Sequence, residues 1–136
     1  MKVTVNHIGD VQFSMRTRNH TLYTDQPAEN GGWDEAMTPP EIFLSAIGAC
    51  AAFYAVAYLK KKGLPYEGTE VEISAEKLTS PARLGEIRIV VHTPTELTPE
   101  HKAGVDDSVH HCVLHNTLTH PPKVTVEVGP PVVVSV

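Results

Sequence analysis

Apolar and polar side chains alternate over residues 2–7 and again over 11–16, with Val3 and Val5 sharing one face and Val11, Phe13 and Met15 another. A third run, 20–24, places Leu22 between polar neighbours. Gly9-Asp10 and Arg18-Asn19 supply turn residues between the runs. Period two broken by turn residues predicts an antiparallel meander of three strands. Residues 25–37, DQPAENGGWDEAM, carry no period, and Pro27 with Gly31-Gly32 excludes a regular element there. Loops of that length inside compact domains are often functional. Trp33 at its centre is either an anchor or a lid.

Thr38-Pro39-Pro40-Glu41 then reads as a capping box, with Thr at the N-cap, Pro at the first helical position and Glu at the third. The helix runs through Lys62 and stops at Gly63, with three lysines suited to the negative end of its dipole. It is apolar nearly all round from 42 to 59, which predicts burial on most sides. Ala46, Gly48, Ala49, Ala51 and Ala52 permit close approach of neighbours. That uncharged stretch just reaches the length of a membrane span. Its alanines, Ser45 and Gly48 keep it only moderately hydrophobic, and the strands around it need a core partner. A buried helix without a membrane is therefore expected.

Alternation returns at 69–77 (Val71, Ile73, Ala75 inward) and at 86–92 (Ile87, Ile89, Val91 inward), which predicts a hairpin joined by 81–85 with one polar face. Residues 98–118 read as a second helix, capped by Thr98, opened by Pro99 and closed by Pro121-Pro122. Val105, Val109, Cys112 and Val113 would share one stripe of it. Residues 123–128 alternate as a last strand, and 130–136 form an apolar tail that could cover a surface or a partner. The order βββ-α-ββ-α-β, over a single domain 1–136, predicts an α+β fold with antiparallel sheets around a buried central helix. One subunit of this size does not cover so apolar a helix, so a homodimer is expected.

The net charge of −5 gives no basic surface for nucleic acid. The opening MKVTVNHIGDV lacks the apolar stretch of a signal peptide. Cytoplasmic localisation, where thiols stay reduced, is the resulting expectation. Cys50 and Cys112 are then buried bystanders or a redox or metal pair. Each could be a small core hydrophobe. The setting of Cys112, HHCVLHNTL, is not typical core. His111 and His115 stand one helical turn apart, as zinc ligands can. No second Cys or acidic cluster has the spacing to complete a site, so no metal is expected. A histidine beside Cys112 could instead tune thiol exchange. Ser-His-Asp, glycine-rich phosphate-loop and Walker patterns are absent from the sequence.

TPPEIFLSAIGAC, ending on Cys50, and CVLHNTL, beginning at Cys112, with VEISAEK and GEIRIVV between them, resemble the OsmC/Ohr family of thiol-dependent hydroperoxide reductases. The resemblance runs from the first strand to Val128. It implies an OsmC-like fold, an intertwined homodimer, a peroxidatic Cys50 and a resolving Cys112. As a thiolate, Cys50 would attack a hydroperoxide and release an alcohol. Its sulfenic acid would condense with Cys112 to a disulfide. An external dithiol, such as a lipoyl protein or a thioredoxin-like protein, would then reduce it, with no bound cofactor.

The family also implies a glutamate at the helix start paired with an arginine. Glu41 matches the glutamate, although it also completes the capping box. Nine residues of straight helix separate it from Cys50 by ~13 Å and put the two on opposite faces. Either the helix breaks near Gly48 or a second subunit supplies one of them. The loop 25–37 holds no arginine, where some members carry theirs. Arg16 and Arg18 are the nearest candidates and share a face if their strand continues. Arg83 and Arg88 on the hairpin are weaker ones, and each arginine also reads as a solvated side chain. Phe43, Ile47, Phe53 and Tyr54 around Cys50 would suit an alkyl tail. The alternative is a protein of the same fold that binds a small apolar or thiol-reactive ligand without turnover.

Overall fold

The computed structural model describes residues 1–133. Strands β1 (Thr4–Gly9), β2 (Gln12–Thr17) and β3 (His20–Thr24) form the expected antiparallel meander. Asp10 (φ 42°) and Arg18 (φ 50°) occupy the left-handed region at its two turns. That conformation is strained for most side chains and confines them to tight turns. Among the described residues the meander makes no substantial contact with the other helices and strands, and the loop that follows β3 ties it to them.

The second layer is built on α1 (Pro39–Lys61), which lies across the antiparallel hairpin of β4 (Glu70–Thr79) and β5 (Ala82–His92). Val71 pairs with Val91 and Ile73 with Ile89, which turns one apolar face of the hairpin onto the helix. Gly48 makes the close approach possible, because a Cβ there would stand 3.3 Å from Ile73 Cγ2. Ala51, Ala55 and Leu59 continue the buried stripe against Leu97 and against Val105 and Val109 of α2 (Pro99–His110). Tyr58 crosses to α2 over Gly104, where a Cβ would collide with its ring. Its hydroxyl is 3.0 Å from His101 Nδ1. Ser108 Oγ donates to the Tyr54 carbonyl at 3.0 Å.

Four expectations are corrected. The hairpin turn is tighter than 81–85: Ser80 and Pro81 alone connect the strands, and Arg83 Nη1 holds them by donating to both carbonyls. The second helix is two, α2 and α3 (Val113–Thr119), because Cys112 leaves helical geometry at φ −58°, ψ 130°. Val113 is therefore exposed rather than part of the Val105–Val109 stripe.

Residues 123–128 form no strand among the described residues, and their alternating valines stand open, Val126 at 90% exposure. A strand needs a ladder partner, and the described residues supply none. The central helix is buried on one face only; Phe53, on another, is 68% exposed. The part of the apolar tail at 134–136 lies outside the described residues.

Candidate active site

Cys50 lies near the middle of α1, and Cys112 is the N-cap of α3. The fold joins them as a disulfide, with Cα atoms 6.1 Å apart across 62 residues of sequence. That separation lies inside the ~7 Å that a bridge tolerates. Cys112 is 1% exposed and Cys50 is half-buried. The break between α2 and α3 brings the pair together: it turns the Cys112 side chain inward while its N–H still bonds the Val109 carbonyl at 3.0 Å.

Beside the disulfide, β5, α1, α2 and α3 enclose an apolar cleft of about 670 Å³. Ile47, Ile89, Val91, Val105, Val109 and Leu118 form its walls, and Lys102, Asp106, His110 and His115 stand at its edge. Ile47 and Val109 each precede a disulfide cysteine by three residues, so the cleft reaches to about one helical turn from the bridge. Of the four apolar residues expected around Cys50, only Ile47 lines this cleft. Phe43 and Phe53 are exposed, since no described element covers that side of α1.

Glu41 closes the capping box. Its carboxylate accepts from the Thr38 N–H at 2.7 Å and the Thr38 hydroxyl at 2.9 Å. These two bonds hold its pKa below the ordinary carboxylate value, with a smaller contribution from the charge of Lys77. The helix continues unbroken through Gly48. The alternative of a break there is thus overturned, since Gly48 serves close packing against β4.

Arg16 is exposed on the meander. Arg18 sits in the β2–β3 turn, so the strand ends before it and the shared face does not form. Arg83 is committed to the hairpin turn, and Arg88 is exposed on β5. No arginine is paired with a carboxylate among the described residues. His111 and His115 fall in different elements across the break at Cys112, which undoes their one-turn spacing. His110 and His115 face each other instead, with ring centroids 4.7 Å apart. Among the described residues no group of three or more His, Cys, Asp or Glu is placed to hold a metal.

Sequence reasoning missed Asp25, which is 1% exposed and organises the loop. Its carboxylate accepts from the N–H groups of Gln26 (2.8 Å), Trp33 (3.1 Å) and Glu35 (3.1 Å), and from Gln12 Nε2 (3.1 Å). Trp33 is an anchor rather than a lid: its Nε1–H donates to Asp10 Oδ2 at 3.0 Å, although the ring is 69% exposed. An Asp before a Pro- and Gly-rich loop was the available signal, since Asp side chains bond nearby backbone N–H groups.

Burial pushes the Asp25 carboxyl up, but the bonds from Glu35, Gln12, Gln26 and Trp33 outweigh it and hold it at about 2. A folded pKa below the unfolded one gives stability that is present above the unfolded value, about 3.9, and lost as pH falls toward the folded one. Stability should therefore fall between about pH 4 and pH 2, with a shallower slope in Asp25→Asn by up to one proton. Urea unfolding across that window checks it, and parallel pH profiles for the two proteins would refute it.

The fold and site together define an α+β protein with two antiparallel sheets, a central apolar helix and a disulfide about one helical turn from an apolar cleft. Residues 31–127 match the family model described as OsmC-like protein. The chain belongs to that family. No curated protein matches it.

Among solved structures it is similar to an osmotic stress induced and detoxification response protein from Psychrobacter arcticus, with TM-score 0.79, 20% identity and coverage of 86% of this chain and 87% of that one. It is also similar to the organic hydroperoxide resistance protein OsmC of Legionella pneumophila (TM-score 0.67, 18% identity, 86% and 87% coverage). A third similar structure is OhrB, the organic hydroperoxide resistance protein of Bacillus subtilis (TM-score 0.61, 19% identity, 88% and 90% coverage).

Proposed function

We propose that the protein reduces hydroperoxides, organic ones above all, through Cys50 and Cys112. The observation that carries this reading is the meeting of two cysteines 62 residues apart in sequence, with Cα atoms 6.1 Å apart, beside an apolar cleft. The Legionella and Bacillus relatives, both organic hydroperoxide resistance proteins, support it. Cys50 is the attacking thiolate, since it is the less buried of the two. Its sulfur takes the distal peroxide oxygen, the O–O bond breaks, and the alkoxide leaves and is protonated to the alcohol. Cys112 then attacks the sulfenic sulfur, water leaves, and the disulfide forms. A dithiol, on a lipoyl or thioredoxin-like protein, accepts the bridge by exchange. This cycle suits a reducing compartment such as the cytoplasm.

The working unit in this reading is a homodimer. The open face of α1 around Phe53 and the unpaired valines of 123–128 are apolar surfaces that a second copy would cover. Glu41 and an arginine, with Arg16 and Arg18 as the candidates, would reach Cys50 from the partner subunit.

A second reading, a binder of a small apolar ligand without turnover, is favoured by the cleft and by the absence of an arginine–carboxylate pair among the described residues. Free-thiol titration during addition of cumene hydroperoxide to the reduced protein separates the two. Peroxidase activity predicts two thiols lost per molecule of alcohol formed. Retained thiols together with tight cumyl alcohol binding would support the binder.

A further inference from the structure

We propose that the Cys50–Cys112 bridge is a latch on α3, and that its reduction releases α3 and opens the apolar cleft. This rests on the redox reading of the two cysteines and adds a conformational consequence to it. The seven residues of α3 include none that is buried. Helices that short are marginal on their own in water.

The side-chain hydrogen bonds of α3 are local. Thr117 donates to the Val113 carbonyl, Thr119 donates to the His115 and Asn116 carbonyls, and His120 contacts the Asn116 carbonyl. None reaches α1 or the hairpin. Only Cys112, the N-cap, is driven into the interior, and it is bonded there to α1. The other ties among the described residues are weaker: the contact of the His115 and His110 rings, and the half-buried Leu114 and His115 where α3 lies against α1 and α2. His115, Leu118 and Thr119 nonetheless form one wall of the cleft. The wall is therefore held chiefly by the covalent bond that the redox cycle makes and breaks.

Reduction by a dithiol consumes two electrons, leaves two cysteine thiols and converts the reductant to its own disulfide. With the bond gone, α3 keeps few buried contacts, which is the condition for local opening. Cys50 and the Ile47 end of the cleft then face solvent together. Oxidation closes the wall again. An apolar ligand that packs against α3 must in turn favour the bridged state, because coupling between two sites is reciprocal.

Hydrogen exchange read by mass spectrometry tests this on the whole protein, reduced and oxidised. Amides at 113–120 should exchange at least ~10-fold faster in the reduced protein, while those of α1 and β5 change little. Cys112→Ala should show the fast exchange whether or not reductant is present. If that variant fails to fold, the wild-type comparison decides alone. Equal exchange in both redox states overturns the latch, as does uniform loosening of α1, β5 and α3 together, which would make the bridge a global staple.

Oxidation with diamide in one arm and cumene hydroperoxide in the other separates the two claims. Protection of α3 by diamide but not by the peroxide would leave the latch standing and remove the peroxidase reading. Bridge formation in both arms with no change at α3 would do the reverse.

Discussion

Cys50→Ser is expected to reduce hydroperoxide turnover with a dithiol reductant by at least ~10³-fold, to the level of the uncatalysed reaction, because a serine hydroxyl is a far weaker nucleophile than a thiolate and forms no sulfenic acid. Cys112→Ser should behave differently. It retains the attacking thiol, so a first equivalent of peroxide is reduced at nearly the wild-type rate. The product is then a sulfenic acid with no neighbour to condense with. Turnover stalls, and Cys50 advances to sulfinic acid under excess peroxide. Stopped-flow measurement of the first equivalent, followed by a steady-state assay, reads both effects. Equal first-equivalent rates in Cys50→Ser and wild type would remove Cys50 from the chemistry. Exchanged behaviour of the two variants would reverse their roles. Since Cys50 is half-buried and Cys112 wholly buried, the asymmetry follows from access to a bulky peroxide.

The second large effect is expected at Gly32. A Cβ at that position would overlap the Gln26 carbonyl oxygen, and would also crowd the Asp25 carboxylate. A backbone carbonyl cannot step aside as a flexible side chain can. Gly32→Ala must therefore displace the segment that carries the Trp33 and Glu35 N–H groups away from Asp25. Overpacking of this kind costs about 1–3 kcal/mol. The consequence spreads because the same loop holds β2 through Gln12 and the β1–β2 turn through Asp10. Loss of thermal stability together with increased solvent exposure of Trp33, read by fluorescence, is the expected result. A Gly32→Ala protein that melts like wild type, with unchanged Trp33 emission, would show that the loop is not held as described.

The fold was legible where a local pattern decides the outcome. Alternation around Val5, Phe13 and Ile89 marked the strands, and Thr38 through Glu41 marked the start of α1. The break at Cys112 was not legible. Neither Gly nor Pro stands there, and the helix ends because a buried sulfur turns toward α1, a contact between residues 62 positions apart. The one-sided burial of α1 and the unpaired valines at 123–128 have a related cause. Their pattern records an apolar surface that no described residue covers, which is where the homodimer proposed above would place its second copy.

At the site, sequence reasoning found both cysteines and the capping role of Glu41. The family resemblance, rather than any spacing, suggested their pairing. Asp25 escaped notice because an acidic side chain in a polar loop looks solvated until its four donors are located. Arg16 and Arg18 share a face only if β2 continues past Thr17; the positive φ at Arg18 ends it.

Peptide mapping after a single equivalent of organic hydroperoxide decides whether Cys50 and Cys112 form the redox pair. Reduced protein is treated, trapped with an alkylating agent and digested without reductant. One covalently linked pair is expected, the Cys50 and Cys112 peptides of the same chain, in amounts equal to the alcohol released. Alcohol release with both cysteines recovered as alkylated thiols, or no alcohol release at all, would contradict it.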